Sequence, residues 1–266
     1  MSDIKRVPGD PPMLCPMPEL SPSTDPKLEH RHTREDIQQR LNQTSHGNYL
    51  RDWIYGGIDG AVTTFAIVAG VMGAHLSSAV VLVLGLANLV ADGFAMGAAN
   101  YASTKAETDD YQRLLAVEHK HIKLVPSGER EEIRQIFAAK GFEADDLERV
   151  VAIICADDDR WANTMAVEEY GLSPTQKSPW LAAINVAAAF TISGLVPLAS
   201  YLAAHSFPFC VATTGLVFFI IGALKSRWAL AGWLRSGLET LAIGMSAAGL
   251  AYGVGYALRT FLHVTA

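Results

Sequence analysis

Apolar residues along this chain gather into five stretches, each of a length that fits a lipid bilayer, and one charged stretch divides them. A helical span takes roughly 20 predominantly apolar residues. The first runs from Trp53 to Ala74, and Asp59 is its only acidic or basic residue. A short link, His75-Leu76-Ser77, leads to the second, Ser78 to about Ser103. The third covers Trp180 to Ala204, the fourth Phe207 to Leu224 and the fifth Gly237 to Leu258. Glycine and other small residues recur in them, as expected where membrane helices pack closely. No stretch alternates with the period of a strand. The pattern predicts an all-α polytopic membrane protein with five transmembrane helices and a three-helix insert between spans 2 and 3.

The insert lies between Lys105 and Lys177 and holds sixteen Asp and Glu against ten Lys and Arg. The second span continues without a breaker through KAETDDYQRLLAVEHKHIKL into the first insert helix. Pro126-Ser127-Gly128 interrupts the pattern, and Ser127 is a candidate N-cap for the helix that follows. Gly141 is its stop. A third helix is predicted from Ala144 to Tyr170, with Ile153, Trp161 and Met165 on its packing face, ended by Gly171 and Pro174. The domains are then 1–46 as a tail, 47–104 as spans 1 and 2, 105–178 as the insert and 179–266 as spans 3 to 5.

The tail is polar, rich in proline and short of apolar periodicity, which predicts disorder apart from a helix over Thr33 to Leu41. It has no apolar core of signal-peptide length, so the first span is expected to act as the insertion signal. The loops after spans 1 and 3 carry no Lys or Arg. Arg51, Lys105, Lys177, Lys225, Arg227 and Arg235 all fall on the other side. The positive-inside rule therefore predicts a cytoplasmic N-terminus and insert and an outside C-terminus.

Half of the residues are hydrophobic, 18% are charged and the net charge is −6. That balance, without a basic patch, argues against nucleic acid as a partner. Cys15, Cys155 and Cys210 stand far apart, which disfavours a disulfide framework or a zinc knuckle.

Carboxylates inside spans are costly and mark ion paths. Asp59 sits in the first span. Asn88, Asp92 and Met96 recur every four residues in the second, on one helix face that Asn100 continues. A thioether beside oxygens favours late first-row metals over Mg²⁺ or Ca²⁺. In the insert, Glu118 and His121 are three apart, as are Glu129 and Glu132, and Met165 and Glu169 are four apart. Each of three helices could offer a pair of ligands to one Fe²⁺, Mn²⁺, Co²⁺ or Zn²⁺ ion. Taken singly, such acidic pairs are more often a solvated helix face.

The joint order of GGIDGAVTTFAIVAGV, MGAANYASTKAE, the acidic insert and NVAAAFTISGLVPLASYL resembles the vacuolar iron transporter family, which includes yeast vacuolar iron/manganese importers and nodulin-21-like proteins. The resemblance covers Gly47 to the C-terminus. It implies a homodimer that exchanges cytosolic Fe²⁺ for protons through a pore between subunits. It implies Asp52 at the cytosolic entrance and Asp59 and Met96 in the pore. It implies Glu118, His121, Glu129, Glu132, Met165 and Glu169 as insert ligands. His121 stands where better-known members carry Glu, and Asn100 where many have Glu. The Asn-Tyr form resembles a bacterial branch, so the expected location is a bacterial inner membrane.

The function expected is therefore a divalent-metal exporter and metal/proton antiporter, with Fe²⁺ or Mn²⁺ as cargo and no prosthetic group. Its partners would be lipid, metal ions, protons and a second copy of the chain. A membrane-anchored metal sensor or store is the alternative. A di-iron ferroxidase is a weaker one, since Glu118-to-His121 is the insert's sole Glu-x-x-His, and di-iron bundles need two.

Overall fold

The computed structural model describes residues 33–42, 49–173, 177–228 and 230–262. Within them the chain is helical, with no strand. It divides into two units, Met1–His46 and Gly47–Ala266. In the first unit, α1 covers Arg34–Asn42. Thr33 caps it, accepting from the Asp36 amide at 3.1 Å and donating to the Asp36 carboxylate at 2.6 Å. The rest of the tail expected to be disordered lies outside the described residues.

Among its described residues, the second unit holds five helices long and apolar enough to cross a membrane. These are α2 (Leu50–Gly73), α3 (Ser78–Leu124), α7 (Pro179–Ala204), α8 (Phe207–Lys225, extended by a 3₁₀ turn at Ser226–Trp228) and α9 (Trp233–Leu262). The span count follows the apolar pattern. The first and fifth spans start three and four residues earlier than the apolar run suggests, because a helix continues beyond the hydrocarbon while its backbone stays bonded.

Helix α2 is central and packs on α7, α9, α3 and α8. Its approach to α7 depends on two glycines one turn apart. A methyl group at Gly56 would overlap the Val186 carbonyl, and one at Gly60 the Phe190 carbonyl. Lipid is as apolar as Leu, so close backbone packing of this kind carries the association. Ala61, Phe65, Val68, Phe190, Leu198 and Phe218 form the core around that contact. Trp53 Nε1 also donates to Asn185 Oδ1 at 2.7 Å between the same two helices.

Helix α3 runs unbroken for 47 residues, from the second span into the insert. The insert adds α4 (Pro126–Ala139), α5 (Ala144–Ile154) and α6 (Asp158–Glu168). Ile122, Ile133, Val151, Ile154, Trp161 and Met165 form its own apolar core.

Three details differ from the sequence-based expectation. The third insert helix is two helices, broken at Cys155-Ala156-Asp157. Asp157 has left the helical conformation and caps α6 by accepting from the Arg160 amide at 2.8 Å, as short acidic side chains do when they compete for backbone donors. The break changes the helical phase, so Ile153 faces outward at 53% exposure while Val151 and Ile154 are buried. Ser127 is not a cap. Helix α4 starts two residues earlier, with Pro126 as its first residue and Val125 before it, the position where a missing N–H costs nothing. Gly141 and Gly171 end α4 and α6 in the left-handed region, with φ of 93° and 66°. Pro174 lies outside the described residues.

Candidate metal centre and intramembrane carboxylates

Four elements bring the insert's acidic groups together. Helix α3 supplies Glu118 and His121 from adjoining turns. The tight turn at Val125 folds α4 back, so that Glu129 in its first turn meets them. His121 Nδ1 lies 3.4 Å from Glu129 Oε1. One ligand atom from each of Glu118, His121 and Glu129 falls within 4.8 Å of the others. Tyr170, just past α6, donates its phenol hydrogen to Glu118 Oε1 at 3.1 Å.

Glu118 and Glu129 are nearly sealed from solvent, at 1% and 5% exposure. The second oxygen of each, Oε2, has no hydrogen-bond partner among the described residues. Buried, unpartnered carboxylate oxygens are costly unless a proton or cation neutralises them. Burial pushes the Glu129 carboxyl up to about 7, and the charges of Glu132 and Glu118, the bond with Glu118 and the charge of Glu169 add to it. Glu169, the C-cap of α6, is also raised, by burial and by Glu132 and Glu118, against the opposing pull of Tyr170 and His121. Burial and the Glu118 contact push Tyr170 up to about 12, so it is a neutral donor. Glu132 and Glu169 thus belong to the same electrostatic group, although both are exposed. Met165, one turn before Glu169, is wholly buried in the apolar core with Ile122, Ile133 and Trp161.

The donor set suits a divalent transition ion: carboxylates with free lone pairs and one imidazole at an adjustable 3.4 Å spacing. Tyr170 was not foreseen. Its partner stands 52 residues away, and the turn after α6 that aims it leaves no periodic signal.

Within the spans, α2 and α3 run antiparallel and touch through polar groups at two levels. Asn100 Nδ2 donates to Asp52 Oδ1 at 3.3 Å and to the Ala182 carbonyl at 2.9 Å. Eleven residues further along α2, Thr63 accepts from Asn88 Nδ2 at 3.4 Å and donates to the Asp59 carbonyl at 2.9 Å. That register sets Asp59 level with Asp92, with Met96 one turn further along α3, and the Asp59 and Asp92 carboxylates interact electrostatically. Asp59 is half-buried, Met96 packs partly buried against the membrane core, and Asp92 is exposed on the single chain. Asp52 is buried at 8% exposure, and Lys177 Nζ approaches its Oδ2 at 3.4 Å.

The VIT family model matches residues 50–256. A vacuolar iron transporter 1 from Arabidopsis thaliana is 32% identical over 238 residues, covering 88% of this chain and 92% of that protein. The protein of the same name from Eucalyptus grandis is 33% identical over 89% of this chain and 96% of its own length. A vacuolar iron transporter from Toxoplasma gondii is 31% identical over 86% of this chain and 80% of its own. The match spans both the membrane helices and the acidic insert, and on that extent the chain belongs to the VIT family.

Proposed function

We propose that this protein carries Fe²⁺, and also Mn²⁺, out of the cytoplasm in exchange for protons. The names of its relatives support iron as cargo. The observation that carries the reading is the Glu118–His121–Glu129 group, in which both glutamates are buried beside an exposed His121 and two unpartnered carboxylate oxygens call for a cation. Glu132 and Glu169 complete its charge, and Met165 adds a soft donor if α6 rotates slightly on binding. Co²⁺ and Zn²⁺ fit the same donors.

In this reading the insert is cytoplasmic and gathers the ion. The ion then enters at Asp52, beside Asn100, and passes Asp59, Asp92 and Met96. Asp92 is a carboxylate on the outer surface of a span, where contact with lipid would be costly. A homodimer that lines the path from both subunits relieves that cost. Protons and metal compete for the same oxygens, and protonation on the far side releases the ion. The basic loops support an orientation with the N-terminus and the insert inside, and the Asn100-Tyr101 form supports a bacterial inner membrane as the location.

The test is metal flux by the purified protein in liposomes, with Fe²⁺ and Mn²⁺, with and without an imposed pH gradient. Gradient-dependent flux that Asp59→Ala and Met96→Ala both abolish is the expected result. Full flux in both folded variants sinks the pathway. Tight binding without flux replaces transport by a sensing or storage role.

A further inference from the structure

Asp52 already holds a cation belonging to the chain itself. Lys177 Nζ stands 3.4 Å from Asp52 Oδ2, and Asn100 occupies Oδ1. Tyr49 secures the lysine's surroundings. Its ring centroid lies 5.7 Å from the Lys177 ammonium, and its phenol oxygen accepts from the Ser178 amide at 3.0 Å. The pair is partly buried, with side-chain exposures of 29% and 11%, so it is screened less than a surface ion pair. This arrangement joins the start of α2 to the residues just before α7, and α3 contributes Asn100.

We propose that Lys177 is a tethered counter-ion that the incoming metal must displace, and that it thereby keeps monovalent cations off the transport path. The proposal rests on the reading of Asp52 as the entrance. A K⁺ or Na⁺ ion brings one positive charge to a carboxylate that already has one. It gains nothing in charge and competes against a group held nearby at an effective concentration on the order of millimolar or more. It also forfeits the ammonium's contact with the Tyr49 ring. A divalent ion brings twice the charge, so its attraction to the same carboxylate is about double at equal distance. It can take the Asn100 amide oxygen as well, after that side chain turns. The displaced lysine has a flexible four-carbon stem and a solvent-facing side on which to withdraw.

The experiment measures Fe²⁺ flux in liposomes against Fe²⁺ concentration, with K⁺ at about 10 mM and at about 150 mM. A bulky organic cation at equal ionic strength separates competition from screening. The wild type is expected to keep one half-saturating Fe²⁺ concentration in K⁺ and in the organic cation. Lys177→Met is expected to lower that concentration several-fold in low K⁺ and to raise it several-fold in high K⁺ alone. Lys177→Arg keeps the charge in a forked, bidentate donor. It is expected to raise half-saturation without K⁺ sensitivity, and it decides the matter if Lys177→Met does not fold. Wild-type half-saturation and K⁺ indifference in Lys177→Met, or wild-type half-saturation in Lys177→Arg, overturns the proposal. Asp52→Asn separates the two readings. Unchanged half-saturation there removes Asp52 from the path, whereas a rise there with an indifferent Lys177→Met removes only the lysine.

Discussion

His121 Nδ1 and Glu129 Oε1 face each other at 3.4 Å across the turn that joins α3 to α4. Glu129 is raised to about 7 chiefly by burial, so a metal ion must displace a proton from it at neutral pH and below. Metal affinity should rise by up to tenfold per pH unit below about 7, and more slowly above it. Co²⁺ titrations of the purified protein at stepped pH check this. A flat profile between pH 5 and 7 contradicts it.

The same shift fixes the sign of a stability effect. A carboxyl raised from 4.5 to about 7 on folding holds its proton more tightly in the folded state. Its contribution is greatest in acid and is lost as pH rises through about 7. The metal-free insert should weaken across that window by on the order of 2 kcal/mol. Bound metal should erase the loss. Melting curves with a chelator and with Co²⁺, at pH 5 and pH 8, provide the comparison.

Glu118→Gln should separate stability from binding. It removes a charge from a fully buried site whose Oε2 has no partner. The metal-free protein should gain about 1–2 kcal/mol, while metal affinity drops at least about tenfold. A thermal shift without metal and a Co²⁺ isotherm read the two halves. Loss of both together would make Glu118 a structural acid only.

Asp157→Ala should remove the cap of α6, at a cost of about 1 kcal/mol. The insert should melt earlier, with the spans unaffected, as proteolysis of the insert against detergent-solubilised spans will reveal.

Gly60→Ala should be far more damaging than a usual surface change. The added methyl overlaps the Phe190 carbonyl, and a backbone atom has no rotamer through which to yield. A loss of about 1–3 kcal/mol is expected, read as a lower melting temperature and poor monodispersity in detergent.

The spans were legible in the sequence because bilayer thickness imposes a length, and length survives without knowledge of packing. The continuity of α3 was legible because nothing between Thr104 and Leu124 breaks a helix. The break at residues 155–157 was not. Ile153, Ile154 and Cys155 extend the apolar pattern, and three aspartates in a row read equally well as an exposed helix face. The pairs Glu118/His121 and Glu129/Glu132 were visible as spacings, but only the fold-back at Val125 shows that two of them meet. Lys177 and Tyr170 carried no signal, because their partners lie 125 and 52 residues away.

If the insert feeds the spans as proposed, the unbroken course of α3 sets a kinetic limit. Met96 and Glu118 sit 22 residues apart on it, which at about 1.5 Å per residue is roughly 33 Å with no joint between. An ion held at the insert cannot be swung to the span by bending α3; it has to dissociate and diffuse. Turnover is then capped by the release rate. With association near 10⁸ M⁻¹s⁻¹, a site of about 1 nM affinity lets go roughly once in ten seconds. A useful collecting site on this scaffold is a loose one, and a variant that binds metal more tightly should run slower.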